Sequence, residues 1–462
     1  MKIYAPNIHL FAFQLYKGSN IEVNNKDDGC KLWQGAEEIV RTILHKDLDL
    51  SQHIDIHKEP DHPRVDLLKE SEVINGDYSL GFDGKIFLDT QQGLIVKGFA
   101  YPLRIYDSYG LWLNLRRPEE ETADTPTEDV DVSFLSKLNP NNIFTLPKNQ
   151  LFLGQTLLIT AWLTSPKDKK HLYEIAQGCL QAVFPNPSQR PPFNRQGELF
   201  GSPIFEYGLF RQPGNYQHVL IWLFADEQTD EKLNLTYQEL LDLFFFRTKV
   251  VKAFQDSRAI YQQLASAYQK IDNLQINNVS SSLTEEDLNK LTEKLKELPQ
   301  ISVEYTRWLR NLEEYQKTIT INAENYNDRL QQIHGKIPQE DLNFLETFYQ
   351  KSSPFFQKQI NADLGYFNHG SALLEQAISS IRGIVEIEQA KRDRSLEQTI
   401  QIIGVGLGGG AIVSGVVTQH IDKPFAPISL NNPLHPIVTS LFWSVLATLF
   451  FGWLAWLWTK RK

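Results

Sequence analysis

His53, Asp55 and His57 stand at alternate positions with Glu59, Asp61 and His62 close behind, and no other stretch sets several histidines among carboxylates in this way. Alternate positions of a strand share one face, so these three side chains would converge on one side. Two imidazoles and a carboxylate are a ligand set suited to a divalent cation. Pro60, Pro63 and the polar surroundings fit a solvated loop equally well, so a metal site and plain polar surface both stand as readings. Glu119, Glu120, Glu121, Asp124, Glu128, Asp129 and Asp131 make residues 118–131 an acidic segment, expected as an exposed loop that attracts divalent cations only weakly. No P-loop, GxSxG, HExxH or kinase motif set occurs, and nothing nominates a nucleophile. The expectation is a protein that is not an enzyme and has no resident cofactor.

Gly404-Val405-Gly406-Leu407-Gly408-Gly409 satisfies GxGxxG. That fingerprint binds a dinucleotide only as a strand-to-helix turn inside a βαβ unit with an acidic residue downstream. Here an uncharged apolar stretch surrounds it instead. Gly404 with Gly408, and Gly406 with Gly410, form GxxxG pairs that let helix backbones touch in lipid. Small residues on that face, with Ser414 and Thr418 as a mildly polar lining, suit helix packing alone or packing around a central pore.

The elements that position these glycines are two uncharged segments, residues 398–419 and 437–458. Each reaches the roughly 20 apolar residues that a helix needs to cross a hydrocarbon core. The connector between them holds Pro424, Pro427, Pro433 and Pro436 and a single basic residue, Lys423. Lys391, Arg392 and Arg394 precede the first segment, and Lys460, Arg461 and Lys462 follow the second. The positive-inside rule then places both termini in the cytoplasm, with Trp453, Trp456 and Trp458 as an interfacial belt. The start of the chain carries no secretory pattern, and two cysteines, Cys30 and Cys179, fit a reducing compartment. A net charge of -10 without a basic patch argues against a nucleic-acid partner. The partners expected are the lipid bilayer of the cell membrane and further copies of the chain.

Upstream, residues 1–225 read as a mixed α/β cytosolic domain. Strand patterns occupy 8–15, 85–88, 94–99, 110–115, 157–163 and 218–224, helical ones 35–44 and 170–184, with 118–131 and 186–203 as loops. Residues 226–398 read as a long-helix stalk. Thr236-x-x-Glu239 has the form of a capping box, Thr284 opens a second helix with Leu283 and Leu288 as a staple, and Pro299 predicts a kink. A third helix begins near Gln339 and is interrupted at Ser353-Pro354. Beyond it Ile360, Leu364, Phe367, Ser371, Leu374, Ile378, Ile381 and Val385 step by fours and threes, the seam of a coiled coil or close bundle. No breaker follows, so this helix is expected to run into the first span. The fold class is thus an α+β multi-domain membrane protein: 1–225 cytosolic domain, 226–398 stalk, 399–462 transmembrane hairpin with spans at 399–419 and 437–458.

This order of parts resembles the CorA family of divalent-cation channels. The resemblance implies a cytosolic α/β domain, a long helix continuing into the first span, homo-oligomeric assembly and a cation pathway regulated by the cytosolic part. The chain departs from the family at its signature, Gly-Met-Asn at the end of the first span. Met1 is its only methionine, and the matching position reads Thr418-Gln419-His420-Ile421. Divergent CorA-like proteins without a transport role include accessory membrane proteins of type III CRISPR systems, so the resemblance also implies a membrane-anchored sensor or effector as the alternative.

Overall fold

The structure is a computed structural model that describes residues 1–16, 31–59, 61–87, 93–122, 125–165, 169–210, 216–272, 283–417 and 436–459. Its strands are β1 (Lys2–Leu15), β2 (Arg64–Asp66), β3 (Leu80–Phe87), β4 (Gly93–Ile105), β5 (Ser108–Arg116), β6 (Glu120–Thr122), β7 (Thr125–Pro126), β8 (Val130–Asp131), β9 (Phe152–Leu163), β10 (Phe193–Leu199), β11 (Ser202–Tyr207) and β12 (His218–Phe224). Its helices are α1 (Lys31–Leu44), α2 (Leu50–His53), α3 (Phe134–Leu138), α4 (Lys169–Val183), α5 (Gln228–Asp272), α6 (Glu285–Lys336), α7 (Asn343–Thr347), α8 (Ser353–Val417) and α9 (Pro436–Thr459). By internal contacts the chain divides into two units. One holds Met1–Ala265 and Trp308–Phe367, the other Ser266–Arg307 and Asn368–Lys462.

The first unit is built on a ten-stranded sheet in the order β10-β11-β12-β9-β1-β5-β4-β2, with β3 added to β4 and β8 to β1. Its long central strand, β1, has Ile8, Leu10 and Ala12 on one face, and they pair across to Leu115, Leu113 and Leu111 of β5. Trp33, Ile39 and Val40 of α1 and Ile175 and Leu180 of α4 join the same apolar core. Fully burying each such side chain stabilises by about 1.5–3 kcal/mol. The other face of β1 carries His9, Phe11 and Phe13, and there the aromatic rings of α5 take over: Phe11 lies 4.9 Å from Phe244 and Phe13 5.3 Å from Phe245. Helices on both faces explain why most of β1 is buried rather than every second residue.

The six strand patterns and both helix patterns of the first 225 residues coincide with β1, β3, β4, β5, β9, β12, α1 and α4. The two expected loops are corrected. Within 118–122 and 125–131 lie the ribbon β6–β7 and the short β8, held to the sheet by β8 pairing with β1 and by the Trp162 indole donating to Glu119 (2.7 Å), while the Thr127 hydroxyl donates within the segment to the Pro118 carbonyl (2.8 Å). Residues 186–203 supply β10, an edge strand whose polar, largely exposed side chains hide its pairing from a hydrophobicity pattern. Thr236 is not a cap either. It lies inside α5, which begins at Gln228, and its hydroxyl donates to the Lys232 carbonyl. Thr284, by contrast, caps α6 as its spacing predicts, its hydroxyl accepting from Asp287 N while its own N donates to the Asp287 carboxylate. α6 runs through Pro299. The interruption before Pro354 is a π-helical turn, Phe348–Ser352, where proline supplies no N–H to the preceding turn.

In the second unit Leu374, Ile381 and Val385 of α8 are buried, along with Leu298 and Tyr305 of α6 and Ile271 of α5. Gly370 marks a close approach of these three helices. A Cβ there would stand 2.2 Å from the Tyr305 hydroxyl and 2.9 Å from the Tyr268 ring. α9 is the one helix among the described residues long and apolar enough to cross a membrane, over Leu441–Trp458. Residues 399–417 form the last turns of α8; 418–419 and the connector lie outside the described residues.

Candidate ligand cleft and C-terminal helix pair

One face of the sheet brings together residues that no sequence motif links. Strand register places Lys97, Arg116 and Asn7 in one cross-strand row, Phe99, Asn114 and His9 in the next, and Tyr101, Trp112 and Phe11 in a third. Alternation along each strand points all nine to the same side. The early turns of α5 lie over them with Asp230, Asn234 and Tyr237, the Tyr237 ring 5.6 Å from Trp112. Two adjoining cavities of 630 and 450 Å³ open between helix and sheet and share Phe99, Trp112, Arg116, Asn234 and Tyr237 as walls.

His9 is the chemical centre of this cleft. The Trp112 Nε1–H and the Asn114 amide both reach its Nδ1 at 3.2 Å. Indole nitrogen can only donate, so Nδ1 accepts and the ring proton sits on Nε2. Burial, reinforced by the charge of Arg116, lowers the His9 pKa to about 3, so the ring is neutral at pH 7. Its Nε2–H meets no acceptor. Burial also lowers the pKa of Arg116, against the opposing pull of Asp230 and Glu119, and its guanidinium makes only a 3.3 Å hydrogen bond to the Asn114 amide oxygen. Arg117 donates through Nε to the Glu128 carbonyl, while its buried Nη1 has no partner. The Asn7 amide donates to the Ala5 carbonyl and leaves its Oδ1 unmatched. Unmatched buried donors and acceptors each cost about 1–3 kcal/mol, so a cavity whose walls hold three such residues, His9, Arg117 and Asn7, is arranged for something that binds there.

A second polar cluster makes the contrast. Glu206 of β11 accepts from Arg195 (2.5 Å) and Arg247 (2.8 Å), and His218 approaches it at 3.3 Å. Burial alone would push its carboxyl up, but the His218 hydrogen bond and the charges of Arg247 and Arg195 outweigh that and hold it far below the usual carboxylate range. Arg247 donates onward to the Tyr216 hydroxyl at 2.7 Å, and His218 Nδ1 lies 2.8 Å from Thr156. Every charge is answered, so this cluster pins α5 to the sheet.

The metal-type residues are not brought together. His53 ends α2 rather than lying on a strand and faces Glu72 at 3.4 Å, while the Asp55 carboxylate accepts the His57 backbone N–H in a tight turn. Among the described residues no group of three His, Cys, Asp or Glu side chains is placed to hold a metal. The glycines split into two sets. Gly406 and Gly410 face α9 of the same chain: a Cβ on Gly410 would stand 1.9 Å from the Thr448 hydroxyl, and one on Gly406 3.1 Å from the Thr448 carbonyl. The Ser444 hydroxyl donates to the Gly410 carbonyl at 2.9 Å. Gly404 and Gly408 face open space. Thr418 and the side chain of Ser414 lie outside the described residues. The partner stripe on α9, Ser444-x-x-x-Thr448-x-x-x-Gly452, is a small-residue spacing that a search for GxxxG alone does not find. The cleft gave no comparable signal, since its residues come from four separate elements.

No protein-family model matches the chain, and no curated protein matches it.

Proposed function

We propose that this chain is a CorA-like membrane protein in which α9 and the last turns of α8 cross the bilayer, copies assemble around α8 into a cation pathway, and the sheet unit regulates that pathway by binding a small ligand. The carrying observation is that one chain combines a cleft of unmatched buried donors with an apolar terminal helix. α9 exposes Leu441, Phe442, Trp443, Leu449, Phe450 and Trp453, side chains that are stable at a surface against lipid. α8 is uninterrupted over 65 residues and contributes to both units, which supports transmission from one to the other. Open space at Gly404 and Gly408 supports close approach by the α8 of a second copy. The basic residues flanking the two spans support a cytoplasmic location for the sheet unit and both termini.

A membrane-anchored sensor or effector without transport is the second reading. It is favoured by Gly406 and Gly410, whose contacts are satisfied within a single chain. Light scattering in detergent and cation flux into liposomes separate the two. An oligomer that conducts supports the pathway; a silent monomer removes it and leaves the sensor.

A further inference from the structure

We infer that the cleft binds a small molecule bearing an oxyanion beside a flat ring. This deepens the regulatory reading above by naming the chemistry of the ligand. His9 is only 8% exposed and is a wall residue of the 450 Å³ cavity, with its unmatched Nε2–H shielded from open solvent. Arg117, whose Nη1 is also unmatched, and Arg116 line the same cavity. These three groups are all donors; Arg117 is already paired with Glu121 at 3.7 Å, which leaves Arg116 as the cation that an acceptor with negative charge would answer. A neutral carbonyl would satisfy His9 but leave Arg116 with no anion in contact, only the longer-range pull of Asp230 and Glu119. Glu119, Glu120 and Asp230 also line this cavity, yet none pairs with Arg116 within salt-bridge distance among the described residues. They select against a second negative group and favour a ligand of low total charge. The shared wall of Trp112 and Tyr237 supplies the apolar surface for a ring next to the anion. Asn7 Oδ1 calls for a donor on the same molecule.

The test uses the full chain in detergent and ligand-observed fluorine NMR with three probes of one shape: 4-fluorophenyl phosphate, 4-fluorobenzoate and neutral 4-fluorobenzamide. The two anions should broaden at least tenfold more than the amide, and whichever binds tighter tells phosphate from carboxylate as the group recognised. Arg116→Gln should abolish that preference. Asn234→Trp, an exposed position on α5, should fill the cleft from the helix side and remove binding with the sheet untouched. Equal broadening by the amide, undiminished binding in both variants, or no broadening by any probe overturns the site. Binding together with silent liposomes retains the site and overturns only the cation pathway, so the two failures are separable.

Discussion

Arg247 and Arg116 serve the same sheet in opposite ways. Arg247 is buried with Glu206 and Tyr216 as partners, whereas Arg116 is partly buried with only an amide oxygen. Removing one member of a satisfied buried pair strands the other, so Arg247→Ala should destabilise the chain by about 3–5 kcal/mol in denaturant titration. Arg116→Gln removes a charge that the fold does not use, and should leave the unfolding midpoint nearly unchanged. Two buried histidines give the fold an acid limit. Burial with Arg116 lowers His9 to about 3, and burial with Arg247 lowers His218 to about 4, from 6.5. The unfolded chain therefore takes up protons at these sites as pH falls through about 6.5, while the folded one waits for the lowered values. Across that window the unfolded state binds more protons, and stability is lost as pH drops from 6.5 toward 4. Thermal melts between pH 7.5 and 4.5 should show the loss, and it should be shallower in His218→Gln.

At the scale of elements, the two pairs of glycines on α8 differ by what stands opposite. Gly410 packs on Thr448 and Ser444, so Gly410→Leu should force α8 and α9 apart at a cost of about 1–3 kcal/mol. Gly404→Leu meets open space and should leave the helix pair intact. If copies assemble through α8, Gly404→Leu instead lowers the oligomer mass seen by light scattering. Gly370 offers the same test in the helical bundle. Leucine there collides with Tyr305 and Tyr268, so the substitution should lower the melting temperature, whereas Gly383→Leu, with nothing within contact distance, should not.

For the whole molecule, the polar sheet unit and the apolar terminal helix ask for different surroundings. The chain has a mean hydropathy of -0.34, while the window Leu441–Trp458 reaches 1.6. Full-length protein should remain with membranes through an alkaline carbonate wash, and protein ending at Gln398 should be released by it. Retention of the shortened chain in the pellet would place the membrane-binding surface elsewhere.

Sequence by itself determined the parts whose signal is local. The six strands, the α1 and α4 helices, the Thr284 cap, the seam along α8 and the apolar α9 all follow from periodicity or composition within one segment. It missed β10 and misplaced the start of α5, because an edge strand is polar and a Thr-x-x-Glu spacing recurs inside helices. The cleft was decided only in three dimensions. His9, Trp112 and Arg116 acquire a common face through the register of β1 and β5, some hundred residues apart in the chain, and α5 then closes over them. The same is true of the glycines, whose pairs are indistinguishable as spacing. Which one is filled depends on the side of α8 that meets Ser444 and Thr448, and that is set by the packing of two helices.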